Sequence, residues 1–207
     1  MASGLGVPDM TMPPDAQAVL DFWFGDADAE RVEWFRRSKA FDDEIARRFA
    51  RVHEAAERGE LHSWVEDRDA ALALVIVLDQ FSRNLHRGSP RAFACDAQAL
   101  AIARDFVERG RDLALPRLSV IRRSFVCMPF EHAEDLPTQD ESVRLFEALA
   151  KDAPPAHERT MRSSLDYARR HRDVIRRFGR FPHRNEVLGR ASTPQEIEFL
   201  RLPGSRF

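Results

Sequence analysis

The 207-residue chain is 43% apolar and 32% charged with a formal charge of −2, a balance that supports a buried core and argues against a disordered polymer. Two Cys exclude the disulfide framework of a small secreted module. The longest apolar run, Ala70 to Leu78, falls well short of the roughly 20 residues that a bilayer-crossing helix needs, and the opening MASGLGVPDM lacks the basic and apolar regions of a secretory signal. A cytoplasmic protein is therefore expected, without membrane attachment, its residues 1–12 a flexible lead and residues 13–207 one domain.

Helical signals follow one another along the chain, separated at short intervals by Gly or Pro. Pro13-Pro14-Asp15 opens a segment with Val19, Leu20, Trp23 and Phe24 on one face, closed by Gly25. From Lys39 to Arg58 the apolar residues Phe41, Ile45, Phe49, Val52 and Ala56 recur at steps of three and four, and Gly59 stops the pattern. Ser63-Trp64-Val65-Glu66 reads as a capping box ahead of Ala70–Leu78, a stretch apolar all round and so a central helix. Asp96 begins a helix that ends at Gly110; Pro116 begins another through Met128, where Pro129 should end or kink it. A second capping box is read at Thr138-Gln139-Asp140-Glu141, the longest helix runs from Pro154-Pro155 to Phe178, and Thr193-Pro194-Gln195-Glu196 caps a final short one. No strand pattern appears, and the expected fold is all-α, eight to ten helices packed as antiparallel hairpins.

Charge is unevenly spread. Residues 151–207 hold 13 basic and 7 acidic groups, whereas the first 150 hold 19 and 27. The two parts either neutralise each other or mark an anionic partner for the C-terminal part. Seven Arg lie between Arg169 and Arg184 against the single acid Asp173, but no exposed aromatics and no nucleic-acid-binding motif accompany them. No nucleic-acid partner is expected.

Polar residues in apolar company mark candidate sites. Asp79 and Gln80 follow the apolar run directly, with Arg83 and Asn84 one turn on, so a continuing helix pairs Asp79 with Arg83 and Gln80 with Asn84. Four such groups must join a satisfied network or line a wet pocket. In Met128-Pro129-Phe130-Glu131-His132-Ala133-Glu134-Asp135, Glu131, His132 and Asp135 share a face if the segment is helical, and their repulsion calls for Arg or a divalent cation. No His-Glu-x-x-His spacing is present, and no second Cys lies near Cys95 or Cys127; no metal or other cofactor is assigned, a divalent ion remaining an alternative. His171 falls within the apolar arc of the long helix and should face inward. The loop Phe178-Gly179-Arg180-Phe181-Pro182-His183-Arg184-Asn185 offers Arg180, His183, Arg184 and Asn185 to a carboxylate or phosphate, or to the acids at 131–135.

Together the runs Leu78 to Gly88, Met128 to Asp135 and Phe178 to Asn185, with Val19 to Gly25 ahead of them, resemble the bacterial "domain of unknown function 924" family over about residues 16–202. Ser82 and Ala133 depart from the family, which often has Pro and Ser there. The resemblance implies a tetratricopeptide-like fold of helical hairpins and no assigned role, and it marks Asp79, Gln80, Arg83, Asn84, Glu131, His132, Glu134, Asp135, His183, Arg184 and Asn185 as positions of interest. Three functions are weighed. The first is binding of a small anionic molecule or peptide carboxylate, clamped by Arg83, Arg180 and Arg184. The second is hydrolysis by His132 or His183 oriented by Glu131 or Asp135, and the third a protein-interaction scaffold. Oligomeric state stays open.

Overall fold

The structure is a computed structural model that describes residues 12–25, 30–110 and 118–205. The expected flexible lead, Met12 apart, lies outside the described residues, as does Pro116. Nine α-helices, and no strand, occur among the described residues: α1 Pro14–Phe24, α2 Lys39–Glu57, α3 Arg68–Val75, α4 Ser82–Leu85, α5 Asp96–Gly110, α6 Val120–Glu131, α7 Leu136–Asp152, α8 Glu158–Phe178 and α9 Pro194–Phe199. A π-helix, Ile76–Phe81, joins α3 to α4.

The apolar run makes α3 and the π-helix the centre of the molecule: every residue from Ala70 to Asp79 is buried. Helices α1, α5 and α6 pack on α3, and α2 packs on the π-helix and α4. Because α1 carries Trp23 and Phe24 on the face its spacing specifies, those rings meet Phe81 and Phe125, with Trp23 centred 5.6 Å and 5.5 Å from the two. Each such ring removed from water contributes about 1.5–3 kcal/mol, and the perpendicular ring contacts add to that. Helices α6, α7 and α8 form a second packed set, the short connection at 153–157 turning α8 back on α7. No helix among the described residues is long and apolar enough to cross a membrane.

The arginines of α8 meet acids within the chain. Arg169 reaches Glu147 at 3.0 Å, Arg176 reaches Asp173 at 3.0 Å, and Arg172 lies 3.8 Å from Asp140. Part of the charge of the C-terminal third is thus met between α7 and α8.

Three expected boundaries move. Ser63 and Glu66 fall in a 3-10 turn, His62–Glu66, and the cap of α3 is Asp67, whose carboxylate accepts from the Ala70 amide at 2.8 Å. Thr138 lies inside α7, capped instead by Asp135, which accepts from both the Thr138 amide and its hydroxyl at 2.9 and 2.6 Å. In each case the helix starts at a different residue from the one the capping-box pattern marks, and the acid just ahead of that start accepts from the amide three residues on. Helix α6 begins at Val120 behind its cap Ser119, and Pro129 lies within it, two residues before its end at Glu131. The box at Thr193 and Glu196 forms as read. Asp67→Ala should cost about 0.5–2 kcal/mol in urea unfolding, whereas Ser63→Ala should leave stability within about 0.5 kcal/mol of the parent.

Candidate functional site

The π-helix carries the first half of the site. A π turn shifts the ladder by one residue and leaves backbone carbonyls short of amide partners. Two side chains from the next turn supply the missing donors: the Ser82 hydroxyl donates to Leu78 O at 2.6 Å, and Arg83 Nη1 donates to Asp79 O at 2.7 Å. The C-terminus of α6 carries the second half and has the same deficit. There Gln139 Nε2, fully buried on α7, donates to Glu131 O at 2.6 Å and Ala133 O at 2.8 Å, while Arg184 Nη2 donates to His132 O at 3.1 Å.

Between these two backbone ends the side chains interlock around Asp79, which is 1% exposed. His132 Nδ1 lies 2.7 Å from Asp79 Oδ1, Arg83 Nη1 lies 3.1 Å from the same oxygen, and Gln80 Nε2 donates to Oδ2 at 2.6 Å. Arg83 extends to Asp96 at 3.0 Å, and Asp96 in turn holds Arg184 at 3.2 Å. Charges therefore alternate, Asp79, Arg83, Asp96, Arg184. Behind His132, Glu131 Oε1 lies 3.3 Å from His171 Nδ1, both residues buried.

Protonation states follow from these neighbours. Burial alone would raise the Asp79 pKa, but the Arg83 charge, His132 and the Gln80 hydrogen bond outweigh it and hold the carboxyl well below its usual range. An ionised Asp79 only accepts, so His132 Nδ1 carries the proton and Nε2 keeps a lone pair. Burial and then Arg83 push His132 down, and burial pushes His171 well down, so both rings are neutral at pH 7. Burial, with Asp79 adding to it, pushes Glu131 up to about 8. The His132 side chain retains 16% of its surface, and its Nε2 hydrogen-bonds to no group among the described residues.

The three sequence segments do meet, though through fewer residues than expected. Asp79, Gln80, Arg83, Glu131, His132 and Arg184 converge. The Gln80–Asn84 pair does not form, since Asn84 turns to Asp42 at 2.7 Å. Asp135 shares no helical face with Glu131 and His132, because α6 ends at Glu131 and Asp135 is an exposed cap of α7. Arg180 grips the buried Glu196 at 2.7 and 2.8 Å, and Asn185 donates to Ser192 at 3.0 Å. Glu134 is taken by Arg190 at 2.6 Å and by the Phe181 amide at 2.7 Å. His183, half-buried, lies against the Phe181 ring rather than on Asp79. Asp96, Gln139 and Arg190 are additions that no spacing signalled. No group of three or more His, Cys, Asp or Glu among the described residues is arranged to hold a metal ion.

A second imidazole pair, His53 Nε2 and Ser82 Oγ at 2.7 Å, has the look of a nucleophile with its base. It is not one. The hydroxyl proton is committed to Leu78 O, so His53 must donate, and both residues are buried.

Residues 19–204 match the profile of the family described as "Bacterial protein of unknown function (DUF924)". The chain belongs to this family. A solved structure of a protein of unknown function from Agrobacterium tumefaciens is similar, with 38% identity and a TM-score of 0.76 over 90% of this chain and 96% of that one. No curated protein matches.

Two consequences can be measured. Asp79→Ala removes one of the two carboxylates on Arg83 and the acceptor of His132 and Gln80, and should cost about 1–3 kcal/mol in urea unfolding. For Glu131, a folded-state pKa of about 8 against an ordinary 4.5 means that the unfolded chain releases between those values a proton the folded chain keeps, so its contribution to stability falls as pH rises. Glu131→Gln keeps the shape without the acidity. The variant should gain on the parent by a few kcal/mol (order of magnitude) between about pH 5 and pH 8 in paired urea titrations; parallel pH profiles for the two proteins would contradict the assignment.

Proposed function

We propose that this protein is a small-molecule hydrolase whose general base is His132, oriented by Asp79. The observation that carries this reading is the 2.7 Å contact between His132 Nδ1 and Asp79 Oδ1, on a ring whose Nε2 is left without a protein partner and whose surface is part-exposed. Nε2 takes a proton from water, the resulting hydroxide attacks an ester or phosphoryl centre, and the imidazolium returns the proton to the leaving oxygen. Asp79 holds the ring in the tautomer that leaves the lone pair outward, and its charge stabilises the imidazolium. Burial, with Arg83 adding to it, keeps the resting ring neutral.

Clamping of an anionic ligand by the arginines is the weaker reading for a specific reason. Arg83 and Arg184 both engage Asp96, and Arg180 engages Glu196, so an incoming carboxylate would have to displace one already in place. Hydrolysis needs no such exchange.

The test is a panel of p-nitrophenyl esters and p-nitrophenyl phosphate. Turnover above the protein-free rate is expected for at least one member, rising with pH through a value below 6.5 and then level, since the base acts when neutral. His132→Ala should lower it by roughly 100-fold or more, and circular dichroism checks that the variant folds. Equal rates for parent and His132→Ala, or no turnover across the panel, would retire the proposal.

A further inference from the structure

Away from the Asp79 network, the C-terminal end of α8 builds a groove. Gly179, in the left-handed region at φ 70°, ends α8, and the chain returns so that α9 sets Phe199 against Phe178 with ring centres 5.1 Å apart. After α9 the chain turns back along α8, and Arg170 Nη2 donates to Gly204 O at 2.6 Å, fastening that turn to the helix. Only glycine suits position 204: φ is +71°, and a Cβ there would stand 2.7 Å from Arg170 Nη2. What remains between helix and turn is a groove of about 290 Å³ walled by Val174, Phe178, Phe199, Leu202 and Pro203.

The groove's charge is as distinctive as its walls. Arg177 lies along it with its guanidinium 4.7 Å from the Phe178 ring centre and 5.9 Å from that of Phe199. Its helix neighbours Arg169, Arg172 and Arg176 each face a carboxylate, but Arg177 forms no ion pair among the described residues. The carboxylate in the lining, Asp173, is engaged by Arg176 at 3.0 Å. An apolar trough with an unneutralised cation on it complements a ligand with an apolar tail and an anionic head.

We propose that this groove binds a medium-chain aliphatic carboxylate, its tail along Val174, Phe178 and Leu202 and its head on Arg177. At roughly 30 Å³ for each group of methylene or water size, the volume admits a chain of about eight to ten carbons. Phe178 and Phe199 supply the flat wall, and the guanidinium, held over their faces, is pre-placed for the head group.

The experiment titrates hexanoate, octanoate and decanoate into the ¹⁵N-labelled protein and follows amide shifts, with n-octylamine as the cationic counterpart. Shifts should concentrate on residues 174–178 and 199–205, and affinity should rise roughly threefold to fourfold for each added methylene. Arg177→Gln, at an exposed position, should weaken octanoate about fivefold and leave n-octylamine no weaker. Leu202→Asp, also exposed, should weaken every member of the acid series. Shifts scattered over the surface, an affinity independent of chain length, or octanoate binding unchanged in Arg177→Gln would each overturn the proposal. Because the groove shares no residue with the His132 site, loss of esterase activity in His132→Ala leaves this outcome untouched.

Discussion

A carboxylate that is 1% exposed has to be surrounded by donors, and meeting that demand at Asp79 organises the polar interior of the molecule. Its donors come from two separate stretches of chain: Gln80 and Arg83 from its own helical run, and His132 from the end of α6. Arg83 then needs Asp96 at the start of α5, and Asp96 brings in Arg184 from the C-terminal third. Helices α3, α5 and α6 would pack on one another through apolar side chains in any case, but apolar packing tolerates small rotations and slides. A chain of charge-assisted contacts with fixed donor geometry does not.

The same residues solve a backbone problem. Neither the π turn at Ile76–Phe81 nor the C-terminus of α6 can satisfy its own carbonyls, and both lie in the interior, where water is scarce. Arg83 serves Asp79 O as well as the Asp79 carboxylate, and Arg184 serves His132 O as well as Asp96. Each arginine, with a planar fork of donors, joins a main-chain carbonyl to an acid. Lysine, a single point charge on a flexible stem, would not do both.

How far this was legible in the sequence depends on the range of the interaction. Helix existence was legible, because steps of three and four among Phe41, Ile45 and Phe49 are local, as is the Gly179 stop after Phe178. The Asp79–Arg83 pair was legible for the same reason and forms across the π turn. Helix starts were less so: Ser63 and Asp67 both satisfy the local rule, and the stretch after Ser63 forms a 3-10 turn, so the α-helix starts only behind Asp67. Asp96 and Asp135 show the limit. Asp96 read as a helix start and Asp135 as a partner of Glu131 and His132; instead Asp135 caps α7, while Asp96 bridges two arginines that lie 13 and 88 residues away along the chain. Only the packing of α5 beside the π-helix decides between those fates. His171 could be placed inward from the helical wheel, yet its contact with Glu131 depends on how α8 lies over α6.

The balance of charge in the network bears on what its imidazole can do. Asp79, Arg83, Asp96 and Arg184 sum to zero, and Glu131, raised to about 8, is neutral at pH 7 along with His171. No excess positive field is therefore left to draw an anion inward, which weakens any reading that depends on attraction alone. A neutral ring needs no such field. Its lone pair is directed by one hydrogen bond, and its readiness to accept a proton is lowered first by burial and then by Arg83, with Asp79 favouring the imidazolium against both. A purely structural histidine in this position would gain from having its second nitrogen bonded as well, as a buried polar group ordinarily is. His132 keeps that nitrogen without a hydrogen-bonding partner among the described residues, on a ring that retains part of its surface.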